Sequence, residues 1–161
     1  WVTDEQLHRV FDAMENEYRH TFQILTKRPK RMYEYLSRRW QAAYLPQFIW
    51  VGVTVESDRY TWRADYLRKT PAAVRWISAE PLISPLPSLD LSGIDWIVTG
   101  GESGHGARPF NPSWALDIRD MARETGTAFF HKQNGGRTPK AGGRLLDGQE
   151  YSEYPAALVT P

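Results

Sequence analysis

Residues 48 to 56 read FIWVGVTVE, a run that is apolar but for Gly52 and Thr54 and is closed by Glu56. Alternating polarity would mark a strand with one wet face. This run is continuous, which suits a strand covered on both faces, as in a parallel sheet. Four more runs repeat the form. TFQILT (21 to 26) ends before Lys27, AVRWISA (73 to 79) before Glu80, DWIVTGG (95 to 101) before Glu102, and TAFFH (127 to 131) before Lys132. Parallel strands have their carboxyl ends on one face, so Lys27, Glu56, Glu80, Glu102 and Lys132 are expected to converge there from segments far apart in sequence.

Helix signals lie between the runs. Thr3 and Gln6 have capping-box spacing, with Val2 placed to staple onto Leu7. Leu7, Val10, Phe11, Met14 and Tyr18 then form one apolar stripe, which predicts a helix to about Tyr18. Pro29 opens a helix carrying Met32, Leu36 and Trp40, and a further helix is expected from Asp58 to Lys69, ended by Pro71. Asn111 as N-cap, Pro112 at the first position and Gly126 at the end frame a helix bearing Trp114, Ile118, Met121 and Ala122.

Strands are predicted at 21 to 26, 48 to 55, 74 to 78, 95 to 99 and 128 to 132. Residues 80 to 93 hold Pro81, Pro85 and Pro87 among leucines and serines, which predicts a loop running back over the sheet rather than a helix. The stretch 134 to 161 reads as a loop-like tail. Right-handed crossovers leave two α/β architectures, an open doubly wound sheet or the arc of an incomplete TIM-like (β/α) barrel with outer helices. Residues 1 to 161 read as a single partial domain.

Composition narrows the function classes. The chain of 161 residues has no cysteine, which excludes disulfides, thiolate metal sites, a cysteine nucleophile and a cluster held by these residues. His8, His20, His105 and His131 show no HExxH or comparable spacing, so no metal ligands are assigned. No apolar stretch has the length to cross a membrane, and no signal peptide is visible, so no membrane partner and a cytoplasmic location are expected. The formal charge of +1 does not by itself point to nucleic acid. A first residue of Trp, where translation starts with methionine, is expected of a fragment.

Several stretches together carry a family resemblance: LTKRP, WVGVTVE, RWISAEPL, DWIVTGGESGHGARP, FFHKQNG and GRLLDGQEY. In this order they resemble the carboxyl-terminal two-thirds of the bacteriophage gp thirty-seven / gp sixty-eight family, the phage three-cysteine-motif proteins, across nearly all of residues 3 to 154. The resemblance implies a radical-SAM-like enzyme with an incomplete TIM-like barrel, in a phage-infected bacterial host, with a link to nucleic-acid modification. It implies S-adenosylmethionine and an iron–sulfur cluster as cofactors only if cysteines lie upstream of Trp1.

The candidate site has two readings. Glu56, Glu80 and Glu102, with Lys27 and Lys132, can hold a substrate or cofactor or act as acid and base; alternatively they pair with one another as a salt-bridged rim. Gly100, Gly101, Gly104 and Gly106 would let backbone amides approach a cofactor or anion, and Arg108 would clamp a phosphate or carboxylate; the same glycines also suit a tight strand exit. Lys27, Arg28, Lys30, Arg31, Arg38 and Arg39, interleaved with Tyr33, Tyr35 and Trp40, read either as a nucleic-acid face or as the solvated side of a helix.

Trp50, Trp76 and Trp96 are expected to fill the core or barrel, and Trp62 and Trp114 to seal helices to the sheet. Two function classes follow. One is the ligand-binding part of a radical-SAM-like enzyme, and the other is a non-catalytic phage protein binding a nucleotide, nucleic acid or host protein through the same face. Open sheet edges would also favour a homo-oligomer.

Overall fold

A computed structural model describes residues 2–40, 46–138 and 140–156. Trp1 and the last residues of the tail, 157–161, lie outside the described residues. The elements run α1 (Asp4–Asn16), β1 (Phe22–Thr26), α2 (Pro29–Arg39), β2 (Ile49–Thr54), a 3₁₀ turn (Asp58–Tyr60), α3 (Arg63–Lys69), β3 (Val74–Ala79), β4 (Trp96–Gly100), α4 (Pro112–Thr125) and β5 (Ala128–Gln133). All strand pairs are parallel, and the order is β1-β2-β3-β4-β5.

That order decides between the two expected architectures. A doubly wound sheet reverses direction at a switch point, whereas here every strand pairs with its predecessor. Right-handed crossovers that always step the same way put every connection on one face, as in a barrel. The core obeys this. Ile49, Val51, Val53, Ile77, Ile97 and Phe129 pack with Phe11, Leu36, Leu67 and Ile118 from the helices. The alternate strand residues Trp50, Val74, Trp76, Trp96 and Val98 form a separate cluster on the opposite face. The fold is an α/β barrel arc of five strands that does not close.

The inner face is filled by indoles. Trp50 and Trp96 meet edge to face at a centroid distance of 5.7 Å although β3 lies between their strands, and Trp76 contacts Trp96 at 5.5 Å. Strands two apart in a flat sheet are separated by about 9.6 Å, so large rings on a concave surface close the gap. Gly52 makes room: a Cβ there would lie 2.5 Å from the Trp76 indole. Tyr154 from the tail stacks on Trp96, whose Nε1 donates to the Glu153 carbonyl.

Local signals account for most element ends. The capping box at Thr3 and Gln6 is formed, although α1 stops at Asn16 and leaves Tyr18 exposed. Asn111 caps α4 and Gly126 ends it at φ +73°. The segment expected as one helix from Asp58 is broken into the 3₁₀ turn and a short α3. Trp62 sits at the start of that helix, 47% exposed and edge-on to Tyr66, so it does not seal the helix to the sheet. Trp114 does pack against the core.

The proline-rich segment after β3 has no helix, as its composition predicts. Its Leu82, Leu86, Leu89 and Leu91 are instead buried with the helix-side core, so the loop does the covering that a crossover helix does elsewhere. The tail also covers an edge. Ser152 bridges Phe130 antiparallel, and the His131 and Glu153 amides donate to the Tyr151 and Phe129 carbonyls. β5 is thus partly capped, while β1 ends the sheet with no further strand among the described residues.

Candidate functional site

Period-two alternation carries the inner face of each strand into its exit. Thr54 and Glu56 follow Trp50 and Gly52 on β2, and Ser78 and Glu80 follow Trp76 on β3. Ser78 is in register with Thr54, and Trp76 with Gly52. The strand-end charges therefore stand above a layer of hydroxyls, which stands above a layer of indoles.

Four of the five expected residues meet at this mouth as ion pairs. Lys27 bonds Glu56 across the exits of β1 and β2. Lys132 stands 3.0 Å from Glu80, bridging the exits of β5 and β3 over the bare backbone of Gly100, where a Cβ would lie 3.2 Å from the Glu80 carboxyl carbon. Glu102 instead turns to its own loop, where Arg108 grips it through Nε at 2.6 Å, Nη2 at 2.9 Å and its amide at 3.0 Å.

Burial grades these pairs. Glu56 is 7% exposed and also accepts from Arg63 at 2.9 Å, a residue equally buried, stacked over Tyr60 and bonded to the Thr54 carbonyl. Burial pushes the Glu56 carboxyl upward, but hydrogen bonds from Lys27 and its own amide, with the charges of Lys27 and Arg63, hold it below the ordinary value. Hydrogen bonds from the Arg108 side chain and amide hold Glu102 at about 2. Both carboxylates are kept ionised at neutral pH, which suits them to binding cations and accepting hydrogen bonds rather than donating a proton.

Beneath the charges the polar groups are less well matched. The hydroxyls of Thr54 and Ser78 have no hydrogen-bond partner among the described residues and stay open to solvent at the mouth. Trp76 Nε1, one layer lower, is a buried donor with no acceptor. An unmet buried donor costs about 1 to 3 kcal/mol, so a ligand acceptor at this depth would be favoured.

The glycines divide into two groups. Gly101 is packed against the protein itself: its Cβ would fall 2.3 Å from the Asn134 carbonyl oxygen, because the β4 and β5 exits run together through Gly101 N to Gln133 O and Gly136 N to Glu102 O. Gly100 lies under Glu80. Close approach of protein to protein thus accounts for both, whereas Gly104 and Gly106, at φ +127° and +78°, have nothing within 4 Å of a Cβ. Arg108 is spent on Glu102.

Arg31, Arg38 and Arg39 of the basic cluster on α2 are turned against α1. Arg31 and Arg38 pair with Asp4, Arg39 with Asp12 and Glu15, and Lys30 with Glu34. Tyr35 and Trp40 are buried, bonded to His8 and Glu15. This face is an interhelix seam. An apolar groove of about 590 Å³ beside it is lined by residues such as Leu7, Phe11, Ile24 and Met32 and includes none of the strand-end charges.

Several participants were not singled out from the sequence. Thr54 and Ser78 lie two residues before Glu56 and Glu80, so strand parity alone points to them. Arg63 and Gln133 carry no such signal, since Arg63 reaches the site past the 3₁₀ turn and Gln133 is placed beside Gly100 by a register shift at the end of β5. Gln133 Nε2 links Glu80 (3.4 Å), the Gly101 carbonyl and Ser103 (2.7 Å). No group of three or more metal-ligating side chains occurs among the described residues, and none of their helices is long and apolar enough to cross a membrane.

A family model described as protein of unknown function (DUF5131) matches residues 1–155. No curated protein and no solved structure matches the chain.

Proposed function

The chain belongs to the DUF5131 family of proteins of unknown function, and we propose that its strand-end mouth binds a small zwitterionic or nucleoside ligand as the ligand-holding part of a radical-SAM-like phage enzyme. The observation that carries this is the layering at the mouth. Two ion pairs drawn from four strand exits, Lys27 with Glu56 and Lys132 with Glu80, stand over the unbonded hydroxyls of Thr54 and Ser78 and the unmet Nε1 of Trp76.

The pair of Lys132, 55% exposed, and Glu80, 21% exposed, is the exchangeable one, because no second cation ties its carboxylate. A ligand ammonium can take the place of Lys132 at Glu80 while a ligand carboxylate takes the place of Glu80 at Lys132, so charge stays balanced through binding. Glu56, tied by Arg63 as well as Lys27, is the fixed acceptor for hydroxyl or ammonium donors. S-adenosylmethionine, an ammonium, carboxylate and ribose in one molecule, matches this donor set and would supply the sulfonium chemistry.

An iron–sulfur cluster does not fit these residues, since the chain has no thiolate to hold one. The resemblance to the phage three-cysteine-motif proteins, and the link to nucleic-acid modification, form part of the same proposal. The second reading, a non-catalytic binding protein, draws on the depressed carboxyls of Glu56 and Glu102, which argue for binding over acid catalysis.

Calorimetric titration with S-adenosylmethionine tests the mouth. Saturable binding that Glu80→Gln weakens by about tenfold is expected; absence of binding sinks the reading. Anaerobic cluster reconstitution on the complete gene product that carries this chain, followed by an assay for S-adenosylmethionine cleavage, separates enzyme from binding protein. Binding without cleavage selects the latter.

A further inference from the structure

We propose that the cleft between the exit loops of β4 and β5 is a binding site for a phosphate-type oxyanion, with Arg137 as its cation. The cleft has a volume of about 420 Å³ and is lined by Gly104, His105, Gly106, Ala107, Gly136 and Arg137. No carboxylate stands in that lining. Glu102, two residues before Gly104, has its charge met by Arg108.

Donors are in surplus here. The Gly104 and Gly136 amides are used to join the two loops, donating to the Gly136 and Glu102 carbonyls at 3.0 and 2.8 Å, and the Ala107 amide turns back to Gly104 at 3.2 Å. Those of His105, Gly106 and Arg137 donate to nothing among the described residues, and neither the Arg137 guanidinium nor the His105 ring has a partner there. Packing does not demand glycine at 104 or 106, where a Cβ would meet open space. Both instead have positive φ (+127° and +78°), the kind of turn torsion from which anion-receiving backbone concavities are built.

This relocates the anion contact expected from the sequence. Of Gly100, Gly101, Gly104, Gly106 and Arg108, only Gly104 and Gly106 line the cleft, and Arg137 stands in the role given to Arg108. Gln133 links the mouth to the loop that forms the cleft, since its Nε2 reaches both Glu80 and the Oγ of Ser103, the residue before Gly104. A ligand with its phosphate in the cleft and its polar body at the mouth would be a sugar or nucleoside phosphate. That extension rests on the mouth reading, whereas the oxyanion site does not.

Nitrogen-resolved NMR titration with inorganic phosphate at fixed ionic strength tests the site. Saturable shifts of the Gly104, Gly106 and Gly136 amides are expected, with a dissociation constant of about 1 mM, weakened about tenfold by Arg137→Ala and less by Arg137→Lys. No saturable shift, an unchanged response in Arg137→Ala, or equal shifts with chloride would overturn it. Ribose 5-phosphate should then bind tighter than phosphate, with the gain lost in Glu80→Gln; equal affinity overturns the spanning ligand. Phosphate binding without S-adenosylmethionine binding removes the mouth reading and leaves the cleft standing.

Discussion

Gly52 and Trp76 occupy paired positions on β2 and β3, and the indole of one fills the space where the other lacks a side chain. The contact fixes how deep the ring layer lies below the hydroxyls of Thr54 and Ser78, so the floor of the mouth depends on a missing methyl group.

Gly52→Ala should therefore cost about 2 kcal/mol by overpacking, in the absence of any positive-φ strain at this position. Urea denaturation followed by tryptophan fluorescence reads it. Adding Trp76→Leu to Gly52→Ala should recover part of the loss, because the two residues share one volume. Strictly additive costs would show that the contact is not the cause.

Glu56 and Glu80 should separate on removal of charge. Glu56→Gln leaves the buried Arg63 without its carboxylate and is expected to lower stability by about 3 kcal/mol. Glu80→Gln, whose partner Lys132 is more than half exposed, should cost under about 1 kcal/mol. Equal losses in chemical denaturation would contradict this ranking.

His131 gives the fold a dependence on pH. Its ring is fully buried, with Thr99 Oγ1 2.9 Å from Nδ1 and Asn134 Oδ1 2.9 Å from Nε2. Asn134 directs its amide group to the Gly142 and Leu145 carbonyls, so its oxygen faces the ring and Nε2 must carry the proton. Nδ1 then accepts from Thr99, and the neutral ring is satisfied. Burial, against the opposing bond to Asn134 and with help from the Arg144 charge, lowers the pKa. The unfolded chain thus takes up a proton first as pH falls, and stability should decline from about pH 6.5 downward. Thermal melts between neutral and mildly acid pH check this, and Asn134→Asp, which offers the imidazolium a carboxylate, should flatten the slope.

Arg39 should hold α1 to α2. It bonds Asp12 and Glu15 and lies over the Phe11 ring at 5.5 Å. Arg39→Ala is expected to destabilise the protein by about 2 kcal/mol and to raise hydrogen exchange in α1 before the strands. Uniform loosening of all elements would argue against a local seam.

The fold was legible because each continuous apolar run is a strand and because Thr3, Asn111, Pro29 and Gly126 mark helix ends by local chemistry. Tyr18 and Trp62 were not, since their exposure depends on where α1 stops and where the 3₁₀ turn interrupts. At the site, position at the end of a run was enough to bring Lys27, Glu56, Glu80 and Lys132 together. Other pairings were hidden: Arg63, which joins Glu56, and Arg108, which takes Glu102 away from the mouth, arrive through turns whose torsions no periodicity encodes. The basic residues of α2 show the same limit, because a charge is visible in sequence while the acidic helix laid across it is not.

The unbroken strand order has a temporal meaning as well. Every strand pairs with the one synthesised just before it, so no segment has to wait for a distant partner and no finished strand has to be parted to admit a later one. A chain leaving the ribosome from its amino end can lay the arc down unit by unit, each exposed edge serving as template for the next. The segment around Ser152, which follows β5, then covers the growing edge, so templating stops where that segment lies down.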